Sequence, residues 1–241
     1  MTDFRTVPIS FTSDDLVLKG VLHLPETLPA PFVVGCHGLF ADKESPKQIA
    51  LAQACCRAGV AFFRFDHRGC HESAGVFAEV TSLAARCRDL ADAVDMLRQR
   101  KDLGPLTGLF GSSMGGTVVL ASARQYLPVR LVTVAAPLVS GPVINAIKLS
   151  NDPVLEKMPA RFFETALQFD ISREVNGLHD ILIVHGDADQ VVPYENAERL
   201  FAACDRPKKL LRHKNGDHRI TDPGHQEEFL RQAAAWLTGK I

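Results

Sequence analysis

The sequence predicts an α/β fold, a mostly parallel sheet covered on both faces by helices. Three observations predict it. Short apolar runs suited to buried strands alternate with segments whose apolar residues recur at helical spacing, the order of repeated β-α-β units. Two β-rich stretches precede that alternation and supply an antiparallel edge. At 241 residues, 46% of them hydrophobic and 23% charged, the chain can bury a large core. α/β folds of this length are often undivided, so one domain over 1–241 is expected.

Each element follows in order. Thr6–Thr12 and Leu16–Leu24 flank the turn-prone Ser13-Asp14-Asp15 and read as a hairpin. After Pro25–Pro31, Phe32–Cys36 is a short apolar run suited to a strand buried on both faces. Lys47–Ala58 has helical spacing and ends at Gly59 in the manner of a C-cap. Val60–Phe65 is the next strand, and Ser82–Arg100 is an amphipathic helix with Leu83, Cys87, Leu90, Val94 and Leu97 on one face. Strand Leu106–Phe110, helix Met114–Tyr126 and strand Val129–Ala135 continue the alternation. Strands Asp180–His185 and Lys208–His213, with helices Glu195–Ala203 and Pro223–Leu237, complete an expected eight-stranded sheet.

Leu138–Gly177 breaks the rhythm. It carries three prolines and no clear strand, and short helices are expected only within Val154–Phe169. Such a long connection is usually a lid or binding loop, so 138–177 is expected to be a lid insertion beside the site.

The formal charge of −1 gives no general electrostatic reason to expect nucleic acid or an anionic membrane as partner. No apolar stretch reaches the roughly 18 residues of a membrane span. Met1-Thr2-Asp3-Phe4-Arg5 has an early acid and leads into no apolar run, so a signal peptide is not expected and the expected location is cytoplasmic. Cysteines 36, 55, 56, 70, 87 and 204 form no C-x-x-C pair, and free, mostly buried thiols are expected.

Gly111-Ser112-Ser113-Met114-Gly115 fits G-x-S-x-G, with an apolar strand before it and a helical pattern after it. Chance alone would give the pattern roughly 0.08 times in such a chain. A serine in a strand-to-helix turn projects its hydroxyl outward from a crowded backbone, and glycines two residues to either side leave room for that turn. The helix behind it points free N–H groups at developing negative charge. Ser113 is therefore the expected nucleophile. A nucleotide loop fails by inspection, because there is no G-K-[ST] and no G-x-G-x-x-G at this turn.

A serine needs a base and an orienting carboxylate. The expected order is Ser, then Asp or Glu, then His, each just beyond a strand. Ile181–Val184 leads into His-Gly-Asp-Ala-Asp-Gln-Val-Val-Pro at 185–193, and Lys208–His213 leads into Lys214-Asn215-Gly216-Asp217-His218.

These three motifs resemble the α/β-hydrolase superfamily, nearest in style to its small carboxylesterases (cinnamoyl and feruloyl esterases) and the related acyl thioesterases and peptidase-like members. The resemblance runs from about Val17 to Trp236 apart from the insertion. In the family's H-G-x-x-D-x-V-V-P pattern the second acid is the triad member, which implies Asp189, with Asp187 a competitor more suited to bonding nearby amides. His218 alone follows the last strand. His213 belongs to that strand, His225 falls in the next helix, and His185 opens the acid loop. Asp217 departs from the common G-x-G-H form and bears on how the loop is held.

The resemblance also places an oxyanion loop at His37-Gly38-Leu39-Phe40, where the backbone N–H groups of Leu39 and Met114 would hold the oxyanion. Phe40 suits either the acyl pocket or plain packing. Asp66–Ser73 resembles the family's D-x-R-G-x-G-x-S turn, with His71 in place of the second glycine. That turn is mainly structural in relatives. A metal at His67, Cys70 and His71 is disfavoured because Gly69 breaks any helix that would align them, while His71 against substrate stays open.

The expected function is therefore a serine hydrolase that cleaves small-to-medium acyl or aryl esters through an acyl-enzyme, with no metal or organic cofactor. Thioester or amide cleavage is the enzymatic alternative, and a triad-bearing ligand-binding scaffold with slow turnover is the other. A dehalogenase would want aspartate and a dienelactone-type hydrolase cysteine in place of Ser113. The expected partner is a small ester-type molecule. The sequence does not set the oligomeric state.

Overall fold

The computed structural model describes residues 4–149 and 158–240. Its eight strands are β1 (Phe4–Ser13), β2 (Leu16–Pro25), β3 (Ala30–Cys36), β4 (Ala61–Phe65), β5 (Leu103–Ser112), β6 (Arg130–Val134), β7 (Ile181–Gly186) and β8 (Lys208–His213). They form one sheet in the order β1-β2-β4-β3-β5-β6-β7-β8. The β1–β2 and β2–β4 pairings are antiparallel and the remaining pairings parallel, so the first two strands do make an antiparallel edge.

Burial follows each strand's place. In the hairpin Ser13 pairs with Leu16 across a two-residue turn, and from Thr6 onward β1 alternates exposed positions with half-buried or buried ones, as an edge strand does. Interior strands β4 and β7 are buried along their whole length, so apart from Arg64 and His185 their sequences run apolar rather than alternating.

Helices α1 (Pro46–Arg57), a short α2 (Phe77–Val80), α3 (Leu83–Arg98) and α4 (Met114–Ser122) come first. α5 (Ser140–Leu149), α6 (Glu195–Ala203) and α7 (Pro223–Leu237) follow. The boundaries have local causes. Pro46 and Pro223 sit in first turns, where the missing N–H costs nothing. Ser82 and Asp222 cap α3 and α7 by accepting from the N–H groups of Ala85 and His225. Gly59 ends the chain past α1 at φ +84°.

One core lies between the sheet and α3, α4 and α6, with Leu90, Val94, Val118 and Leu200 among its residues. A second lies between the sheet and α1 and α7, around Leu51, Phe62, Phe110 and Phe229. All six cysteines are free, and every one except half-buried Cys87 is buried. Among the described residues no helix is long and apolar enough to cross a membrane.

The structure departs from the sequence reading in three places. The helix expected to run to Tyr126 stops at Ser122 and tightens into a 3₁₀ turn over Ala123–Gln125. α2 was not expected, being a single turn without a buried face. Within 138–177 the structure adds α5, which was not expected and which buries Ser140, Val143, Ile144 and Ile147 at helical spacing. Pro142 masked it as a breaker, but it sits in the helix's first turn, where proline is tolerated. Of the expected helical stretch, 154–157 lie outside the described residues, and Phe162–Ala166 form one π-helical turn.

The insertion leaves and rejoins the body side by side. Val139 bridges Asp170, Ser140 N–H donates to the Phe169 carbonyl at 3.0 Å, and Ile171 N–H donates to the Leu138 carbonyl at 2.9 Å. Its inner face shares a third apolar cluster with Leu39, Met114 and Val192, to which it contributes Val143, Ile144, Phe162 and Leu167.

Candidate active site

The C-terminal ends of parallel strands open the crevice where α/β sheets gather functional loops. Here the loops after β3, β5, β7 and β8 meet. Ser113 stands between β5 and α4 with φ +53° and ψ −125°, a strained conformation for a non-glycine residue. Its N–H donates to the Val134 carbonyl at 2.7 Å, which ties the turn to β6. The neighbouring glycines are required by backbone proximity. A Cβ on Gly111 would stand 2.3 Å from the Gly115 carbonyl oxygen, and one on Gly115 would stand 2.1 Å from that of Cys36.

His218 lies on the loop after β8. Its Nε2 is 3.1 Å from Ser113 Oγ and its Nδ1 is 2.7 Å from Asp189 Oδ2. With Nδ1–H donating to the carboxylate, Nε2 is left to accept the serine proton. The structure thus brings Ser113, His218 and Asp189 into one hydrogen-bonded line, although 105 positions separate serine from histidine in the chain.

Asp189 is locked from all sides. Its Oδ1 accepts from the N–H groups of Val191 and Val192, both at 2.8 Å. His185 Nε2 lies 2.9 Å from the Val192 carbonyl and 3.3 Å from Asp189 Oδ2, a proton shared between the two. Burial opposes the Asp189 charge, but the hydrogen bonds from His185 and His218 outweigh it and hold the carboxyl well below the usual range.

Asp187, two residues earlier, faces away. It accepts from Asn215 N–H at 2.5 Å and from Arg212 Nε at 2.8 Å, and so binds the acid loop to the base loop. Gly186 and Gly216 let those loops touch, since a Cβ on Gly186 would fall 2.1 Å from the Gly216 carbonyl oxygen. Asp217 accepts from Thr221 N–H and Oγ at 2.8 and 2.9 Å, which closes the turn that carries His218. His213 lies in β8 and His225 in α7, where the two rings stack 4.5 Å apart.

The His37–Phe40 loop passes directly over the serine. A Cβ on Gly38 would stand 3.4 Å from Ser113 Cβ. Leu39 and Met114 are buried there, and among the described residues no hydrogen bond takes up either backbone N–H. His37 accepts the His67 N–H on Nε2 at 3.0 Å, which leaves Nδ1–H to donate to the Gly38 carbonyl at 2.7 Å. Burial drives the pKa of His37 well below the usual histidine value, so the ring is neutral.

The Asp66–Ser73 turn does not gather the trio considered for a metal. His67 Nδ1 turns to Asp89 at 3.2 Å, Cys70 Sγ accepts from Arg86 at 3.4 Å, and His71 Nδ1 sits 3.1 Å from Lys43 Nζ. Asp66, His71 and Glu72 do converge, but the Lys43 ammonium lies among them, 2.8 Å from Asp66 Oδ2 and paired with Glu72. An open depression of about 400 Å³, lined in part by Leu138, Val175 and Arg199, contains none of the Ser113 group.

Sequence reasoning missed buried Lys43 and Arg86, and it named His185 only as the opening of the acid loop, not as a partner of Asp189. One signal was present. Arg86 falls between Leu83 and Leu90 on the buried face of α3, which carries one other buried charge, Asp89, among apolar residues.

Comparison with known proteins supplies the rest. Residues 28–167 match the family described as serine aminopeptidase, S33, and residues 156–241 match the prolyl oligopeptidase family. An uncharacterized protein of Salmonella typhimurium, YfhR, is 28% identical over 179 residues, which is 72% of this chain and 60% of that protein. The chain thus spans less than two thirds of that relative. The mitochondrial palmitoyl-protein thioesterase ABHD10 of Bos taurus is 26% identical over 216 residues, 80% of this chain and 68% of that protein. Est1E from Butyrivibrio proteoclasticus, solved with ferulic acid bound, superposes with a TM-score of 0.80 at 20% identity. That match covers 97% of this chain and 99% of that one.

Proposed function

The chain belongs to the serine aminopeptidase S33 family and is an α/β hydrolase, and on that premise we propose that it cleaves carboxylic esters by acyl transfer through Ser113. The observation that carries this reading is the unbroken line from Asp189 through His218 to Ser113 at 2.7 and 3.1 Å. His218 Nε2 takes the Ser113 proton as Oγ forms a bond to the ester carbonyl carbon. Asp189 stabilises the resulting imidazolium, and the N–H groups of Leu39 and Met114 receive the oxyanion. Collapse breaks the bond to the alcohol, which leaves with the proton from His218. Water, deprotonated by the same imidazole, then attacks the acyl-enzyme and releases the acid.

The 138–177 insertion acts as a lid whose inner face builds the acyl site. Val143, Ile144, Phe162 and Leu167 pack in the same cluster as Leu39 and Met114, which favours apolar acyl or aryl groups over charged ones. A second reading has its own support. A thioester of a longer acyl chain suits the same apolar cluster, and the ABHD10 relative is a palmitoyl-protein thioesterase.

The test is a graded panel of p-nitrophenyl esters and acyl thioesters with wild type and Ser113→Ala. Turnover should fall about 10⁶-fold in kcat in the variant, with the better leaving-group class deciding between ester and thioester. Full activity in Ser113→Ala would overturn the proposal. Binding of acyl ligands without multiple turnovers would favour a scaffold.

A further inference from the structure

Arg86 lies on the buried side of α3 and is wholly shielded from solvent. Among the described residues its guanidinium contacts no carboxylate. It donates through Nη1 to the carbonyls of His37 at 3.4 Å and Gly38 at 3.3 Å, and through Nη2 to the Leu39 carbonyl at 3.0 Å and Cys70 Sγ at 3.4 Å. Its Nε has no partner. Asp89, three residues on along α3, acts on the guanidinium only at a distance and is itself bonded to Arg68. A buried cation without a directly bonded counter-ion is costly unless oriented dipoles compensate it. Here three consecutive backbone carbonyls do so.

Those carbonyls set the loop's other face. In a trans peptide the C=O and N–H point to opposite sides, and the cis bonds of the described chain all precede prolines outside this loop. Anchoring the Gly38 carbonyl on Arg86 therefore turns the Leu39 N–H away from it. The His37 and Leu39 carbonyls fix the Gly38 and Phe40 N–H groups in the same way. The loop also lies against Ser113, within van der Waals reach at Gly38. A positive charge behind an amide carbonyl further polarises its N–H, which strengthens donation to an oxyanion in a dry site.

We propose that Arg86 is a positioning residue for acyl transfer, clamping the 37–39 carbonyls from behind so that the Leu39 N–H is presented to the oxyanion with added positive potential. This rests on the reading of Ser113 and Leu39 given above. The guanidinium fork is essential because it reaches three acceptors at once, whereas a lysine ammonium in the same place reaches fewer.

The experiment compares wild type, Ser113→Ala, Arg86→Met and Arg86→Lys. Active sites are titrated with a fluorophosphonate, turnover of p-nitrophenyl butyrate is expressed per titrated site, and inhibition by butylboronic acid reports affinity for a tetrahedral adduct. Arg86→Met should lose about 10²-fold in kcat, with KM held within about threefold and boronate affinity reduced by the same factor as kcat. Arg86→Lys should recover about tenfold of that loss. A merely structural arginine would lower the titre and the melting temperature, leaving kcat per site and boronate affinity unchanged. That result overturns the proposal and leaves the Ser113 reading standing. Labelling that is absent, or that survives Ser113→Ala, sinks the Ser113 reading instead and the clamp with it. If Arg86→Met does not fold, Arg86→Lys decides: about a tenfold loss in kcat and boronate affinity supports the clamp, and wild-type values overturn it.

Discussion

Asp187 and Asp189 stand two positions apart on one loop and face opposite ways, so exchanging each for asparagine separates their roles. Asp189→Asn keeps the loop's shape but loses the charge that opposes the imidazolium. Its kcat should fall by about 10⁴-fold. Among the described residues the Asp187 carboxylate holds only Asn215 and Arg212, so Asp187→Asn should stay within about tenfold of wild type. Turnover per titrated site distinguishes them, and equal losses would contradict the assignment. Ser113 was legible in the sequence because a crowded turn imposes glycine, and Asp189 because the 185–193 run resembles the family's acid loop; the structure brings the two together through His218. Arg86 stands at a core-facing position of α3, but a long side chain there can also snorkel to solvent. Its carbonyl partners lie 47 to 49 positions away, so its role was not readable.

Helices and strands were legible wherever packing and periodicity agreed. α6 and α7 begin and end where the sequence placed them, and all eight strands are present. α5 escaped because the three prolines of 138–177 marked the segment as irregular, while Pro142 is tolerated in the helix's first turn. α2 escaped because one turn without a buried face leaves no periodic trace. At this scale the Gly115 contact is the sharpest constraint, since α4 touches the end of β3 there with no room for a methyl group. Gly115→Ala should force the two elements apart and cost about 1–3 kcal/mol or more. Urea denaturation measures it, and a wild-type midpoint would show that the crossing yields.

Across the whole molecule, buried neutral histidines set the response to acid. Burial lowers the pKa of His67 to about 4, with Asp89 partly opposing the shift. Burial, aided by Arg64, does the same to His23. His37 moves in the same direction through burial. The unfolded chain binds protons at these imidazoles below about pH 6.5, and the folded chain refuses them until about pH 4. Unfolding therefore takes up protons in that window, and stability is lost as pH falls through it. The decline begins above the carboxylate range. Melting temperatures between pH 7 and 4.5 should drop steadily, whereas a flat profile down to pH 5 would mean the histidines are charged in the native state.

The order of the sheet also separates the members of the hydrogen-bonded line. Ser113 stands on the turn after β5, in the middle of the sheet, whereas His218 arrives on the loop after β8, an edge strand paired to β7. Local opening of that edge would part the imidazole from the hydroxyl while β3, β5 and β6 stay paired. The single tryptophan, Trp236 on α7, donates its ring N–H to the Asp180 carbonyl just before β7. An intrinsic fluorophore therefore sits on the flank that carries the imidazole, and its emission should report a loosening there.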